Sequence, residues 1–195
     1  MVRITHLCVI SLSLALPAAA LAQSGESAEQ IAAKLMRQEQ TYRLRHETQE
    51  KKYRGLVIVP TGQELFGSDD AAATAPADYV RVAPEDQVNV HIVFDFDSAS
   101  LRADQKPKFA AICQAMKSVD AALFQIVGHT DSAGSVAYNE RLSLLRAAEV
   151  KRYLVQDCGI PADRLQAVGL GESSLLDTRH PRAEVNRRVE FQALG

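Results

Sequence analysis

A short acidic loop and an arginine fifteen residues beyond its aspartate are the residues of this sequence best suited to chemistry. The loop reads GHTDSAG at 128–134, and the two charges are Asp131 and Arg146. A carboxylate accepts hydrogen bonds from an ammonium group, and a guanidinium pairs with a carboxylate through two parallel N–H···O bonds. If Asp131 and Arg146 lie close together, they can therefore hold a zwitterion. The spacing alone does not decide whether they meet.

Each of these two charges also has a purely structural interpretation. Asp131 precedes a predicted helix, where an aspartate commonly caps backbone N–H groups. Arg146 shares a helical stripe with Leu142, Val150 and Leu154, and an arginine at the edge of such a stripe can keep its charged end in water. Because an unpaired buried charge is costly, a specific partner for Arg146 is the other interpretation. Both interpretations stay open at this level.

The sequence argues against catalysis and against a metal site. His129, Asp131 and Ser143 supply the residue types of a hydrolase triad, but no G-x-S-x-G motif surrounds any serine and Ser143 falls inside a predicted helix. The 5 histidines show no metal-ligand spacing. Segment 95–106 lacks the central glycine and final glutamate of a calcium loop. We therefore expect no enzymatic activity, no cofactor, no metal, and a structural hydrogen-bonding role for His129.

Composition and the beginning of the sequence indicate an exported protein. A basic residue, an apolar run and an A-x-A site predict a secretory signal peptide at 1–22. No later segment is long and apolar enough to predict a transmembrane helix, and the net charge of -2 is too close to neutral for a nucleic-acid partner. Cys113 and Cys158 would remain after export. They are a candidate disulfide in an oxidising compartment, with two buried free thiols as the alternative.

Residues 23–87 are predicted to form a polar helical arm followed by a linker. Ile31, Leu35 and Tyr42 make only a thin apolar stripe, which favours a marginal, partly solvated helix over a coiled coil. Two short apolar segments beyond the helix are candidates for a small hairpin, and a loop of small and acidic residues separates them. The ranges are 24–51 for the helix, 56–59 and 79–82 for the two segments, and 69–78 for the loop.

Residues 88–195 carry the stronger patterns and predict one α+β domain. The apolar residues alternate strictly at 88–96 and recur at helical spacing at 103–117. The predicted elements are strands at 88–96, 122–127, 165–170 and 188–194, and helices at 103–117 and 136–157. This βαβαββ order favours right-handed crossovers, with the helices packed on one face of a mixed sheet.

Taken in order, the motifs from Asn89 to Leu194 resemble the OmpA-like carboxyl-terminal domain, a family that binds peptidoglycan. The matching blocks are FDFDSA at 94–99 with Leu101, GHTDSAG at 128–134, Asn139, LS at 142–143, RA at 146–147, GI at 159–160, Arg164, GLGE at 169–172 and NRRVE at 186–190. The resemblance implies that Asp131 and Arg146 clamp the meso-diaminopimelate of the stem peptide. The neighbouring contacts that it implies are Asp97, Thr130, Asn139 and Arg187.

The resemblance also implies a role and a location. The protein would bind peptidoglycan non-covalently in the periplasm, tethering itself, and the outer membrane or an envelope partner with it, to the cell wall. It would be a periplasmic member without the membrane-embedded part of the family's outer-membrane proteins. One alternative is an envelope protein-interaction module, in which the arm at 24–51 binds the partner and crosslinks map to Lys34, Lys51 or Lys52. Another is an enzyme that cleaves the wall.

Overall fold

The structure, a computed structural model, describes residues 25–53, 79–95 and 97–195. The predicted signal peptide, the first hairpin segment at 56–59 and the loop at 69–78 lie outside these residues. The strands are β1 (Val88–Val90), β2 (Leu123–Gly128), β3 (Leu165–Gly169) and β4 (Val189–Leu194), and the α-helices are α1 (Ala28–Tyr53), α2 (Ala110–Ser118) and α3 (Val136–Gln156). None of the helices within these ranges is long and apolar enough to cross a membrane.

The four strands form one mixed sheet in the order β1-β4-β2-β3. Strands β2 and β3 are parallel, and β4 runs antiparallel to both β1 and β2. Phe124, Ile126 and Phe191 belong to the main apolar core and are fully buried. The predicted α+β fold, in which helices pack on a mixed sheet, is therefore confirmed.

The first strand is much shorter than predicted, and one of the hairpin segments is not a strand. β1 covers Val88–Val90 rather than 88–96, because β4 begins at Val189 opposite Val90 and offers no further partner. Segment 79–82 has no regular structure. The carbonyl of Val80 accepts a hydrogen bond from the Gln192 side chain instead of a ladder bond (2.8 Å). The alternation of apolar residues at 88–96 indicates an extended backbone, but it does not show whether a neighbouring strand pairs with that backbone.

The helix predicted at 103–117 divides into two parts. Residues Ala103–Phe109 form 3-10 turns that contain Pro107, and the α-helical part starts at Ala110. Proline has no N–H to donate, so a regular helix through this position would lack a hydrogen bond. The boundaries of β2, β3, β4 and α3 agree with the prediction to within about two residues, as expected for element ends, whereas α1 begins four residues later than predicted.

Helix α1 packs against the sheet and against α2, whereas the sequence predicted a marginal, partly solvated helix. Ile31 and Leu35 face inward and are buried, with Leu35 fully inaccessible. The buried Gln38 side chain donates to the Asp86 carbonyl (2.7 Å) and accepts from the Ala193 N–H of β4 (2.9 Å). The outer face of α1 is solvated, as predicted, but its inner face completes the core.

Two glycines let the beginning of α3 approach the ends of β2 and β3. A Cβ atom on Gly128 would lie 2.2 Å from the Ser143 carbonyl oxygen, and one on Gly169 would lie 2.5 Å from the Leu144 nitrogen. Backbone atoms cannot yield to such contacts, so only glycine is tolerated at this distance. The close packing brings the first half of α3 beside the loop that follows β2.

Candidate functional site

Asp131 lies in the loop between β2 and α3, where it serves two partners. Its Oδ1 accepts the N–H of Ala133 (3.0 Å), and its Oδ2 pairs with an Nη of Arg187 (2.6 Å). The cap of α3 is a different residue, because the Ser135 hydroxyl accepts the N–H of Tyr138 (3.3 Å). Asp131 thus accepts a backbone N–H in its own turn, as the structural interpretation predicts, and its second carboxylate oxygen forms an ion pair.

Arg146 lies on α3 and is half-buried against an aromatic ring. Its guanidinium is 4.7 Å from the centroid of Phe94, and its Nε donates to the Ser98 carbonyl (3.2 Å). Burial lowers the pKa of Arg146, while the nearby charge of Asp131 raises it and that of Arg187 lowers it. Among the described residues no carboxylate forms an ion pair with Arg146. Asp131 and Arg146 are therefore neighbours that do not pair directly.

Arg187, rather than Arg146, forms the ion pair with Asp131. It precedes β4, pairs with Asp131, and has Glu184 as a more distant second partner (3.5 Å). Glu184 in turn lies 3.2 Å from the imidazole of His91. The Arg187 side chain is 40% exposed and that of Asp131 is 12% exposed. Arg187 thus covers a carboxylate that is otherwise nearly buried.

Asn139 and Thr130 are buried and support the loop from below. Asn139 donates to the Asp131 carbonyl (3.3 Å) and to the Glu172 carboxylate (2.5 Å). The Thr130 N–H donates to the Gly171 carbonyl (2.8 Å). Both residues connect the loop to the segment after β3, and both are less than 5% exposed. In this arrangement they orient Asp131 and offer little surface to a ligand.

Asp97 lies on the opposite rim and is exposed. It adopts a left-handed backbone conformation with φ of 50°, and its Oδ1 accepts the Tyr138 hydroxyl (2.7 Å). That hydrogen bond raises the pKa of Tyr138. A shallow cleft of about 70 Å³ lies beside the two arginines, lined by His91, Ile92, Val93, Phe94, Arg146, Glu184 and Arg187.

A buried polar cluster beneath the loop was not foreseen as part of the site. His129 and Glu190 are fully buried and lie 3.1 Å apart, and the Gln192 side chain donates to the same carboxylate (2.9 Å). Burial lowers the pKa of His129. Burial alone would raise the pKa of Glu190, but hydrogen bonds from His129 and Gln192 hold it below its usual range. The structural hydrogen-bonding role predicted for His129 is confirmed.

The geometry does not assemble a hydrolase triad from these residue types. The Ser143 hydroxyl donates to the Glu140 carbonyl (2.8 Å) and accepts the Gly171 N–H (2.9 Å), while His129 is engaged with Glu190. Ser143 is fully buried, so its hydroxyl acts as a link between α3 and the segment after β3.

Cys113 of α2 and Cys158, which follows α3, come together in the fold. Their Cα atoms are 5.7 Å apart, and the structure places a disulfide between them. The separation lies within the usual range for such a bond. The pairing in the exported protein stays a prediction, with its test given below.

Comparison with known proteins adds the family. Residues 93–188 match the model of the OmpA family. These residues form an OmpA-family domain. Outer membrane porin F of Pseudomonas aeruginosa is 37% identical over 114 residues, which are 57% of this chain and 32% of the relative. Outer membrane protein A of Bordetella avium is 37% identical over 110 residues, 55% of this chain and 56% of the relative.

The chain, with its OmpA-family domain, thus spans about a third of the first relative and just over half of the second. Among solved structures, the peptidoglycan-associated lipoprotein of Burkholderia pseudomallei is 30% identical, with a TM-score of 0.44 over 53% of this chain and 87% of that one. Helix α1 and strand β1 precede the residues that match the family model.

Proposed function

We propose that the domain binds peptidoglycan non-covalently, by holding the meso-diaminopimelate of the stem peptide between Arg146 and Asp131. The observation that carries this proposal is the proximity of the two charges beside the same loop, with Arg146 in no ion pair among the described residues and Asp131 covered by the partly exposed Arg187. The resemblance of this loop and helix to those of peptidoglycan-binding domains supports the same ligand.

The chemistry of diaminopimelate matches these charges. Its side chain ends in one carbon that bears both an ammonium and a carboxylate. The carboxylate can accept two N–H bonds from Arg146, whose half-buried charge it would also compensate. The ammonium can donate to Oδ2 of Asp131. A lysine at the same position of the stem peptide lacks the second carboxylate, so Arg146 would discriminate between the two wall types.

Ligand binding at Asp131 must involve Arg187, because both oxygens of the aspartate are already engaged. The ammonium has to share Oδ2 with Arg187 or to replace it there. Arg187 can leave at low cost, since it is 40% exposed and Glu184 lies within 3.5 Å as an alternative partner. Binding would then exchange one internal ion pair for two contacts with the ligand.

A single stem peptide should bind weakly by this mechanism. Each charge-assisted hydrogen bond contributes roughly 1.5–3 kcal/mol net. Lost translational and rotational freedom costs at least ~4 kcal/mol. With the three bonds described, at most about 5 kcal/mol remains, so a single stem peptide should bind no more tightly than roughly 0.2 mM. Because a cell wall presents many stem peptides, weak sites still retain a protein in the periplasm when several act together. The role that follows is a tether to the wall.

The direct test is co-sedimentation with purified sacculi that contain diaminopimelate. We expect Asp131→Ala and Arg146→Ala to abolish retention. Arg141→Ala, an exposed arginine on the same helix, and Asp163→Ala, an exposed aspartate, should behave as wild type. Circular dichroism and urea unfolding check that all four variants remain folded. Retention of both site variants at the wild-type level would exclude the assignment.

Sacculi of the lysine type provide the second arm of the test. The wild-type protein should sediment with them much less than with the diaminopimelate type, because Arg146 would lack its carboxylate. Analysis of the supernatant for released muropeptides distinguishes binding from wall cleavage. Equal retention on the two wall types would contradict the proposed role of Arg146 even if the wall is bound.

A further inference from the structure

The far side of β1 has an unusual set of hydrogen-bond partners. Among the described strands, β1 lies at the edge of the sheet and pairs with β4 alone. On its other side, Lys34 of α1 donates to the Gln87 carbonyl (3.1 Å), and Lys108 donates to the His91 carbonyl (2.9 Å). Lys34 also forms an ion pair with Glu26. Two side-chain ammonium groups thus occupy positions at which a neighbouring strand would place its N–H groups.

Asn89 lies midway between these two carbonyls. In an extended chain, the N–H and C=O groups of alternate residues point to the same side. The main-chain groups of Asn89 therefore face away from β4, as do the carbonyls of Gln87 and His91. The same alternation explains why the Val93 N–H donates to the Gln105 side chain (3.2 Å).

A groove of about 550 Å³ runs along this edge. It is bordered by the beginning of α1 on one side and the beginning of α2 on the other, and β1 forms its floor. The lining combines apolar and polar residues: Gly25, Glu26, Ile31, Val88–His91, Pro107, Lys108 and Ala110–Ile112. It therefore offers apolar contacts as well as the hydrogen bonds of the strand edge.

We propose that this groove binds an extended, acidic segment of another polypeptide, which adds to the sheet beside β1. Peptides bind to other sheet edges by such strand addition, with affinity from main-chain hydrogen bonds and specificity from alternate side chains. The N–H groups of the segment would replace Lys34 and Lys108 at the Gln87 and His91 carbonyls. Lys34 keeps its ion pair with Glu26 when it leaves the Gln87 carbonyl. The released ammonium of Lys108 would need a carboxylate, which an acidic side chain near that end of the segment supplies.

A second copy of this chain fits the groove less well. Two β1 edges placed side by side would bring Lys108 of each copy toward the Lys34–Glu26 pair of the other copy, whose carboxylate is already engaged, so neither Lys108 would gain a carboxylate of its own. Lysine on an edge strand also protects against pairing between identical edges. The charges therefore favour a different, acidic partner. The site is separate from the peptidoglycan proposal, because its lining contains none of Asp131, Arg146 and Arg187.

The test uses the full exported chain and two synthetic peptides, acetyl-Glu-Val-Thr-Val-Glu-amide and its counterpart with lysine at both ends. In ¹H–¹⁵N NMR titrations, the acidic peptide should shift the amide of Asn89 and its neighbours in a saturable way and slow hydrogen exchange of the Asn89 N–H. The lysine peptide should not. A version of the acidic peptide with N-methylated central residues should also fail, because it cannot donate to β1.

Charge reversal in the groove provides the protein variants. Lys108→Glu should lower the affinity for the acidic peptide by roughly three- to tenfold, which is the effect expected when an exposed ion pair is replaced by two like charges. Lys117→Glu, an exposed lysine further along α2 and outside the groove, should leave the affinity unchanged.

Three outcomes would overturn the proposal. The first is equal binding of the acidic and the lysine peptides. The second is an Asn89 N–H already slow to exchange in the free protein and unaffected by peptide, which would mean that the chain covers its own edge. The third is dimerisation through this edge in the absence of peptide, which would identify a second copy as the occupant.

Discussion

The substitution Gly128→Ala tests whether the close approach of α3 to β2 creates the site. The added Cβ would lie 2.2 Å from the Ser143 carbonyl oxygen and 2.8 Å from its carbonyl carbon. Both are helix backbone atoms, so α3 must move away by roughly 1 Å to restore an ordinary van der Waals contact. Overpacking of this kind costs about 1–3 kcal/mol of stability. The displaced helix carries Arg146, whereas Asp131 stays with the loop after β2.

We expect Gly128→Ala to lose stability and also sacculus binding, because the clamp is sensitive to the separation of its two sides. A displacement of about 1 Å is enough to spoil charge-assisted hydrogen bonds, whose geometry is narrow. The measurements are urea unfolding for stability and co-sedimentation with diaminopimelate sacculi for binding. Both are made well below the unfolding midpoint, so that the population of unfolded protein does not reduce binding.

Gly159→Ala is the matched control. Gly159 has a φ of +71° and nothing within 4 Å of its added Cβ, so alanine there costs about 1–2 kcal/mol of backbone strain without moving the start of α3. Similar stability loss in the two variants, with binding lost only in Gly128→Ala, is the expected result. If the two variants bind sacculi equally well, the packing of α3 on Gly128 does not set the clamp.

Three further predictions concern the disulfide, the buried histidine and the second arginine. Reduction of Cys113–Cys158, separated by 45 residues, should lower the free energy of unfolding by about 3–4 kcal/mol without affecting sacculus binding; two free thiols in the untreated exported protein would contradict the pairing. Burial lowers the folded-state pKa of His129 below its ordinary 6.5, so the unfolded chain takes up a proton at a higher pH than the folded protein does. The free energy of unfolding should therefore fall from pH 7.5 to pH 5.5. A His129→Gln variant with the same pH dependence would contradict this cause. Arg187→Gln should change the affinity for sacculi by no more than about threefold relative to wild type, because it removes a weak, partly exposed ion pair and frees Asp131 for the ligand. A loss of affinity as large as that of Arg146→Ala would contradict the exchange mechanism.

The sheet and its helices follow largely from local patterns. Short apolar segments marked β2, β3 and β4 to within about two residues, and Gly159 and Pro161 marked the carboxyl-terminal end of α3. The strict alternation at 88–96 predicted too long a first strand, because alternation describes an extended chain whether or not a partner strand lies beside it. Local patterns also failed to foresee the docking of α1. The interactions of Gln38 with β4 depend on residues more than 150 positions away.

The buried cluster shows a similar limit. Arg188, Glu190 and Gln192 alternate with apolar residues along β4, which is the pattern of a strand with one solvated face. In the structure all three are buried. His129 pairs with Glu190 across the sheet, and Arg188 donates to Asn89 of β1 (3.2 Å). The alternation of polar residues was therefore visible in the sequence. Only the tertiary structure shows that this polar face of β4 is buried.

The sequence by itself determined which groups exist near the loop and in what order the elements carry them, because turns, caps and periodic faces depend on neighbours along the chain. It supplied Asp131, the glycines that allow close packing, and an arginine on the following helix. Only the tertiary structure decided which charges pair. Asp131 pairs with Arg187, 56 residues away, rather than with Arg146. Such a contact depends on how the start of β4 and the end of β2 meet, which no local pattern encodes.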